Sequence, residues 1–381
     1  MCAVTNASSP VHAGWPAQRA GAVLTINLEA VAHNYRLLKA RVPNAVCAAV
    51  VKADAYGLGA AQVAPVLEQA GASQFFVAHV DEGLALRHHV RAQAGITVLH
   101  GPRPDAVEAC LAHGLRPVLN SLDQLGWVRA VARKNQRALG VVLQLDTGMS
   151  RFGLSVQDVR HIAANPDLLD GLSVELVMSH LACADDPGNP ANAEQAARLV
   201  EYAALLPVQA PLSLAASSGV FLGPDYHFNL VRPGAALYGV APDPQATNPL
   251  RAVVGLKAHV LQTRALSKGD RVGYGLTWQA SGPCRVATIA AGYADGFIRA
   301  RARGVAWFRG QRLPILGRIS MDSMTVDVSS IPEGQLETDG MVELLNDAYG
   351  VDDVAAAEGT IGYEVLTSLG HRYHRNYVHA A

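Results

Sequence analysis

The sequence contains no run of about 18 apolar residues, the length that a membrane-spanning helix requires. Residues 1–20 include Pro10 and Pro16 and also lack the apolar core of a secretory signal peptide. Neither charge is in excess, since 31 Lys and Arg residues face 32 Asp and Glu residues. This balance argues against nucleic acid or an anionic membrane as a partner. We therefore expect a soluble, cytoplasmic protein.

Cysteine is also scarce. The five cysteines are Cys2, Cys47, Cys110, Cys183 and Cys284, and no two of them have CxxC or metal-finger spacing. Their odd number and wide separation suit a reducing compartment. The sequence therefore predicts neither a disulfide framework nor a metal site.

Short apolar runs alternate with longer Ala- and Leu-rich amphipathic stretches over the first two-thirds of the chain. The runs lie at residues 45–51, 75–80, 96–99, 116–119, 141–145, 172–178, 212–215 and 228–231. Helices are predicted between them, among others at 81–89, 104–113, 121–135, 155–165 and 191–206. Continuous apolar strands separated by helices are typical of parallel strands buried on both faces. Eight such units predict an α/β fold with a closed (β/α)8 barrel of the TIM type.

The pattern changes after about residue 253. Apolar strands separated by Gly-, Asp- and Pro-containing turns are predicted at 253–262, 284–291, 305–308, 313–316, 324–328 and 341–344. We therefore predict two domains. The barrel spans residues 29–252, and a mainly β domain spans residues 253–381 together with an N-terminal strand at 23–28.

Polar side chains follow several barrel strands at their carboxyl ends, where barrel enzymes have their active sites. Lys52 ends the first strand, and a lysine there is either directed to solvent or functional. His180 ends the sixth strand, where alone it is more often structural. Ser217 and Gly234 follow strands seven and eight, the usual phosphate position of such barrels, although similar triplets are often ordinary turns. Arg232 needs a structural carboxylate or a ligand atom as its partner.

These residues are together compatible with one cofactor. A desolvated lysine is partly neutral and can form a Schiff base. The loops after strands seven and eight would bind a phosphate, and Arg232 would face a ring nitrogen. Pyridoxal phosphate carries the carbonyl group, the phosphate and the ring nitrogen that this interpretation requires.

The chain resembles the alanine racemase family, pyridoxal-phosphate enzymes of fold type III, over about residues 23–377. The segments that carry the resemblance are AAVVKADAYG at 48–57, LDTGMSRFG at 145–153, VRPG at 231–234, GYG at 273–275, GYADG at 292–296, SMD at 320–322 and GYE at 362–364. The resemblance implies a head-to-tail homodimer with shared active sites that interconverts L-alanine and D-alanine by two bases and supplies D-alanine for peptidoglycan.

The resemblance also implies a role for each matching residue. Lys52 would bind pyridoxal phosphate covalently and act as one catalytic base, and Tyr274 of the partner subunit would be the second base. The other cofactor contacts would be Tyr56, Ser217, Arg232, Gly234 and Tyr363. Arg151 and the backbone N–H of Met321 would bind the substrate carboxylate, with His180, Tyr293 and Asp322 in support. Taken individually, Tyr274 could also be an aromatic residue of an ordinary turn, and Met321 could be a residue of the hydrophobic core.

Some positions depart from the common family pattern. Gln144 stands where many members have a lysine that can be carbamylated to hold the arginine equivalent to Arg151, so the positioning of Arg151 is open. Asp54, Leu58 and Ser320 replace the frequent Asn, His and Cys. Three alternatives remain: a racemase of broader specificity, an amino-acid decarboxylase of the same architecture, and a non-catalytic cofactor carrier. The carrier would resemble the barrel alone, and the GYG segment argues against the decarboxylase.

Overall fold

The computed structural model describes residues 15–299 and 304–379. Cys2 and most of the N-terminal segment examined for a signal peptide lie outside these residues. The described residues form two compact units, residues 29–251 and residues 15–28 with 252–299 and 304–379. No helix among the described residues is both long and apolar enough to cross a membrane.

The first unit is a parallel β-barrel. Its strands are Val46–Cys47, Ala49–Val50, Gln74–Val77, Gly95–Val98, Leu115–Leu119, Leu139–Gln144, Leu172–Met178, Leu212–Ala216 and Leu230–Arg232. The first two segments are separated only by Ala48 and pair with the last and the second barrel strand, respectively. The backbone N–H of Ala48 also donates to Val231 O at 2.9 Å. The two segments therefore act as one interrupted strand that closes the predicted eight-stranded barrel.

Helices surround the strands. They are Leu28–Arg41, Ala60–Gln69, Val80–Arg87, Val107–Ala112, Leu122–Lys134, Val156–Ala164 and Ala191–Leu205. Two of them begin with a side-chain cap: Ser121 Oγ accepts from Gln124 N, and Ser155 forms a reciprocal capping box with Asp158. Between strands and helices, Leu143, Leu145, Val159 and Ile162 are fully buried. Burial of each such side chain contributes about 1.5–3 kcal/mol.

A polar network links three alternate strands of the barrel. Arg116 Nη1 lies 3.0 Å from Glu175 Oε2, and Arg116 Nη2 also bonds Gln74 Oε1. Gly95 and Gly140 make room for it, since a Cβ at either glycine would lie about 2 Å from one of these side chains. We call this set Gln74, Arg116 and Glu175 the polar plug.

The second unit is mainly β, as predicted. Its eight-stranded sheet runs in the order Cys284–Ile289, Met324–Asp327, Gln311–Leu316, Val305–Phe308, Met341–Leu345, Val254–Leu266, Ala22–Asn27 and His374–Val378. The long strand Val254–Leu266 also pairs with Cys284–Ile289, so the sheet curves back on itself. A two-strand ribbon, Arg271–Val272 and Trp278–Gln279, and the helices Val351–Glu358 and Gly362–Ser368 complete the unit.

Candidate active site

Lys52 follows the first barrel strand directly, at the carboxyl end of the barrel. Its side chain is partly buried. Desolvation lowers the pKa of Lys52, and the positive charges of Arg151 and Arg232 lower it further, while Glu82 raises it. A lysine in this environment loses its proton more readily than an exposed one, as a nucleophilic amine requires.

The four residues after Lys52 form a left-handed turn. Ala53, Asp54, Ala55 and Tyr56 have φ values of 52° to 56°, and Gly57 continues the turn at 82°. The left-handed conformation costs about 1–2 kcal/mol for each L-residue. Backbone bonds from Ala55 N to Val51 O at 2.9 Å and from Gly57 N to Ala53 O at 2.7 Å stabilise the turn. It carries Lys52 at one end and Tyr56 at the other.

The replacement of a common Asn by Asp54 has a simple structural outcome. Asp54 Oδ1 accepts a hydrogen bond of 2.7 Å from Ala60 N, at the start of the next helix. An asparagine carbonyl accepts the same bond, and both residue types tolerate left-handed backbone. The local structure therefore suits either residue.

Ser217, Gly234 and Tyr56 meet at the ends of strands seven and eight. Ser217 Oγ accepts from Gly234 N at 3.0 Å and from Ala236 N at 3.1 Å. A Cβ at position 234 would lie 2.3 Å from the Tyr56 hydroxyl oxygen, so the site requires glycine there. The Tyr56 ring packs against Tyr238, with centroids 4.9 Å apart. The structure thus brings together three of the predicted phosphate contacts.

Arg232 is buried and bonded only to neutral groups. It donates to Ser179 O at 2.6 Å, to Leu214 O at 3.2 Å and to Ser213 Oγ. Within the described part of the chain, no carboxylate forms an ion pair with it, and burial lowers the pKa of Arg232 to about 10. Of the two partners that the sequence analysis considered for Arg232, a structural carboxylate is therefore not found among the described residues.

His180 lies beside Arg232, with Nδ1 3.5 Å from the guanidinium Nη2. Desolvation and the charges of Arg232, Arg151 and Lys52 lower the pKa of His180 to about 3. Its backbone is also fixed, because Gln195 Nε2 donates to His180 O at 2.9 Å. His180 is therefore a neutral imidazole at physiological pH.

Gln144 does not bond to Arg151. Its buried amide Nε2 lies 3.5 Å from the carbonyl oxygen of Phe152. The Arg151 guanidinium is exposed and lies 5.7 Å from the centroid of the Phe152 ring. That ring in turn contacts the His100 ring at 5.4 Å. Aromatic contact is thus the interaction that the structure gives Arg151.

The second unit presents its own group of predicted site residues. Tyr274 is 62% exposed and stands between Gly273 and Gly275, which both have positive φ. The Arg299 guanidinium lies 5.2 Å from the Tyr274 ring centroid and 5.8 Å from that of Tyr293. Tyr274 is therefore accessible and lies beside a cation.

A loop that carries Met321 and Asp322 packs on the GYADG segment. Ala294 N donates to Met321 O at 2.9 Å. Glycine is required at position 292, because a Cβ there would lie 2.3 Å from the same oxygen. Arg372 donates 2.6 Å to Asp322 Oδ1 and makes two bonds of 2.8 Å to buried Asp295. Tyr363 lies on a different element, helix Gly362–Ser368.

The comparisons with known proteins agree along the whole chain. The family models "Alanine racemase, N-terminal domain" and "Alanine racemase, C-terminal domain" match residues 26–242 and 253–377. The chain belongs to the alanine racemase family. A relative from Mesorhizobium japonicum, named "Alanine racemase, catabolic", is 49% identical over 99% of both chains. An "Alanine racemase" from Brucella ovis is 46% identical over 94% of both.

Solved structures of the family share the fold. Alanine racemase from Bartonella henselae, solved with covalently bound pyridoxal phosphate, superposes with a TM-score of 0.90 at 39% identity over 94% of this chain and 100% of that one. The Streptomyces lavendulae alanine racemase gives a TM-score of 0.87 at 32% identity over 95% and 98%. The predicted racemase architecture and cofactor are thereby confirmed at the level of the family.

Sequence reasoning missed several residues that this family member places around the site. Glu82 bonds to the residue after Lys52, Arg299 lies on two site tyrosines, and Arg372 anchors Asp322. None of them belongs to a segment that carried the resemblance. Apart from the contact between Arg299 and Tyr293, which are six positions apart, these contacts join residues 25 to 50 positions apart, so local patterns hold no signal for them.

The depressed pKa of His180 predicts a pH effect on stability. The unfolded chain binds a proton at His180 near pH 6.5, and the folded chain binds it only near pH 3. The contribution of neutral His180 to the free energy of unfolding is therefore complete above pH 6.5 and is lost as the pH falls toward 3. Between pH 7.5 and 5.0 the loss is about 2 kcal/mol. Urea unfolding at the two pH values should show this difference in wild type and not in His180→Asn. Exposed His113→Asn is the control, and an unchanged pH dependence in His180→Asn would contradict the prediction.

Proposed function

We propose that the protein is a pyridoxal-phosphate-dependent racemase that interconverts L-alanine and D-alanine. One observation carries the proposal: a chain that is similar to alanine racemases over nearly its full length has, in its barrel, a desolvated Lys52 near Arg232, a buried arginine without a carboxylate partner among the described residues. A free amino acid has a carboxylate that Arg151 can bind.

The residues at the barrel mouth fit the cofactor. Lys52 would hold it covalently. Ser217, Gly234 and Tyr56 would bind its phosphate, since Gly234 N donates to Ser217 Oγ and a Cβ at Gly234 would lie 2.3 Å from the Tyr56 hydroxyl oxygen, so the three residues converge. Tyr363 would be a further phosphate contact. When bound, pyridoxal phosphate acidifies the Cα proton of the amino acid by delocalising the negative charge.

Arg232 would face the ring nitrogen of the cofactor. Its carbonyl and hydroxyl partners orient the guanidinium but do not neutralise it. An arginine keeps its own protons, so it donates a hydrogen bond and not a full proton. This limits how far the charge is delocalised and disfavours side reactions such as transamination.

Two bases act on opposite faces of the substrate. Lys52 takes or returns the Cα proton on one face and Tyr274 on the other, so the substrate does not have to rotate. Arg151 and the Met321 backbone N–H bind the carboxylate, and Asp322, held by Arg372, fixes the Met321 loop. Neutral His180 bonds to Tyr274 and shares its proton, and Tyr293 lines the entrance.

The first test is racemisation itself. Purified protein with pyridoxal phosphate should convert L-alanine into D-alanine without releasing carbon dioxide. Lys52→Ala should lower the rate at least about 10³-fold, because one general base is removed. Lys134→Ala, a surface lysine paired with Glu108, is the matched control and should keep full activity. A panel of L-amino acids, serine included, tests the broader-specificity alternative, whereas carbon dioxide release in place of racemisation would identify a decarboxylase.

We further propose a head-to-tail homodimer in which each active site takes Lys52 from one subunit and Tyr274 from the other. Lys52 belongs to the barrel unit and Tyr274 to the β unit, where it is 62% exposed. Twofold symmetry then creates two identical composite sites.

Subunit mixing tests the shared site. Lys52→Ala and Tyr274→Phe should each inactivate their own homodimer. In a hybrid dimer, one site receives both substitutions and the other receives none. Random exchange makes about half of the dimers hybrid, so roughly a quarter of wild-type activity should return. Activity that stays at the level of the separate variants, with exchange verified by two affinity tags, would place both bases of a site in one chain.

The cellular role depends on whether the enzyme makes D-alanine or helps to break alanine down. We propose that the enzyme acts in the cytoplasm, where its unpaired cysteines suit a reducing environment, and supplies D-alanine for peptidoglycan. A catabolic role is the second candidate, because two relatives at 49% and 48% identity are named catabolic. Deletion of the gene should create a requirement for D-alanine in the first case. In the second case, the deletion strain should grow without D-alanine but not on alanine as its carbon source.

A further inference from the structure

The left-handed turn after Lys52 is a conformation that its sequence does not favour. Ala53 and Ala55 lack the short polar side chains that make Asn and Asp tolerant of positive φ. The internal backbone bonds offset part of this cost, and contacts from outside the turn add to them. The two residues that the turn presents, Lys52 and Tyr56, are the proposed covalent and phosphate contacts of the cofactor.

Glu82 makes a charge-assisted contact that reaches the backbone of the turn from outside. Its Oε1 accepts a 2.8 Å hydrogen bond from Ala53 N, the first left-handed residue. Its Oε2 accepts from Ala78 N at 2.7 Å and from His79 N at 3.1 Å. One carboxylate thus joins the residue after Lys52 to the end of the second barrel strand.

Helix capping explains only part of this arrangement. Glu82 occupies the third position of helix Val80–Arg87, where a glutamate commonly accepts from the N-cap backbone, here that of His79. The bond to Ala53 lies 29 positions away in sequence and contributes nothing to that helix. The carboxylate also opposes Arg151 and Arg232 electrostatically at Lys52.

We propose that Glu82 is a positioning residue that holds the left-handed turn in place and so aims Lys52 and Tyr56 at the cofactor. The proposal rests on the proposed function, in which these two residues bind pyridoxal phosphate. Glu82 itself touches neither substrate nor reacting atoms.

The test replaces Glu82 by Gln, which keeps the shape but supplies only one acceptor oxygen for three N–H groups. Loss of a charge-assisted bond predicts a cofactor dissociation constant about 10- to 100-fold higher than in wild type. Amide hydrogen exchange over residues 50–58 of the cofactor-bound enzyme should also accelerate. Glu68→Gln is the matched control, because Glu68 likewise accepts from a backbone N–H, that of Arg91, at 3.0 Å in the same barrel. It should leave both measurements unchanged.

A second substitution distinguishes positioning from general destabilisation. Glycine adopts positive φ at no steric cost, so Ala53→Gly should recover much of the cofactor affinity when added to Glu82→Gln. A purely structural role at Ala78 and His79 would not respond to a change at Ala53. If Glu82→Gln is poorly soluble, Glu82→Asp with and without Ala53→Gly provides the same comparison.

The outcomes separate this proposal from the proposed function. Wild-type enzyme that neither binds pyridoxal phosphate nor racemises alanine would overturn the proposed function. Wild-type enzyme that does both, combined with a Glu82→Gln variant of unchanged cofactor affinity and exchange, would overturn the role of Glu82 alone. Failure of Ala53→Gly to restore affinity would reduce Glu82 to a helix cap.

Discussion

The buried guanidinium of Arg232 determines the character of the whole barrel mouth. A buried charge without a counter-ion is costly, and here the cost is offset by bonds to Ser179 O, Leu214 O and Ser213 Oγ. Because these partners are neutral, the positive field extends to neighbouring groups. Desolvation is the main cause that lowers the pKa of His180 and of Lys52, and the charge of Arg232 adds to it at both groups, less at Lys52 than that of Arg151 does. Burial and an unneutralised cation thus act in the same direction, toward a neutral imidazole at His180 and an uncharged amine at Lys52.

The sequence predicts those parts of this arrangement that depend on periodicity. Alternation of apolar runs and helices predicted the barrel, and the position of Lys52 after an apolar run predicted its place at the barrel mouth. The left-handed turn was not predictable, because Ala53 and Ala55 favour right-handed helix. The bonds of Glu82 to Ala53 and of Arg372 to Asp322 were equally hidden, since they form only after distant segments have folded together.

Gln144 shows a different limit of sequence reasoning. The absence of a modifiable lysine was evident from the sequence, but its consequence was not. In the structure the amide approaches the Phe152 carbonyl and Arg151 lies near the Phe152 ring. Such an aromatic contact is worth about 0.5–1 kcal/mol at exposed sites, less than a charged partner provides. Arg151 is thus held less firmly than Arg232, which is fixed on several sides.

The polar plug has a consequence for how the barrel assembles. Its bonds span strands Gln74–Val77, Leu115–Leu119 and Leu172–Met178, so Arg116 meets its partners only when segments 42 and 59 positions away have docked. Contacts of such sequence separation form after local ones, because loop closure costs entropy first. The network does not need full desolvation, because the Glu175 side chain stays 42% exposed in the folded barrel. Pairing of Arg116 with both partners therefore belongs to the late stage at which the barrel strands have docked side by side.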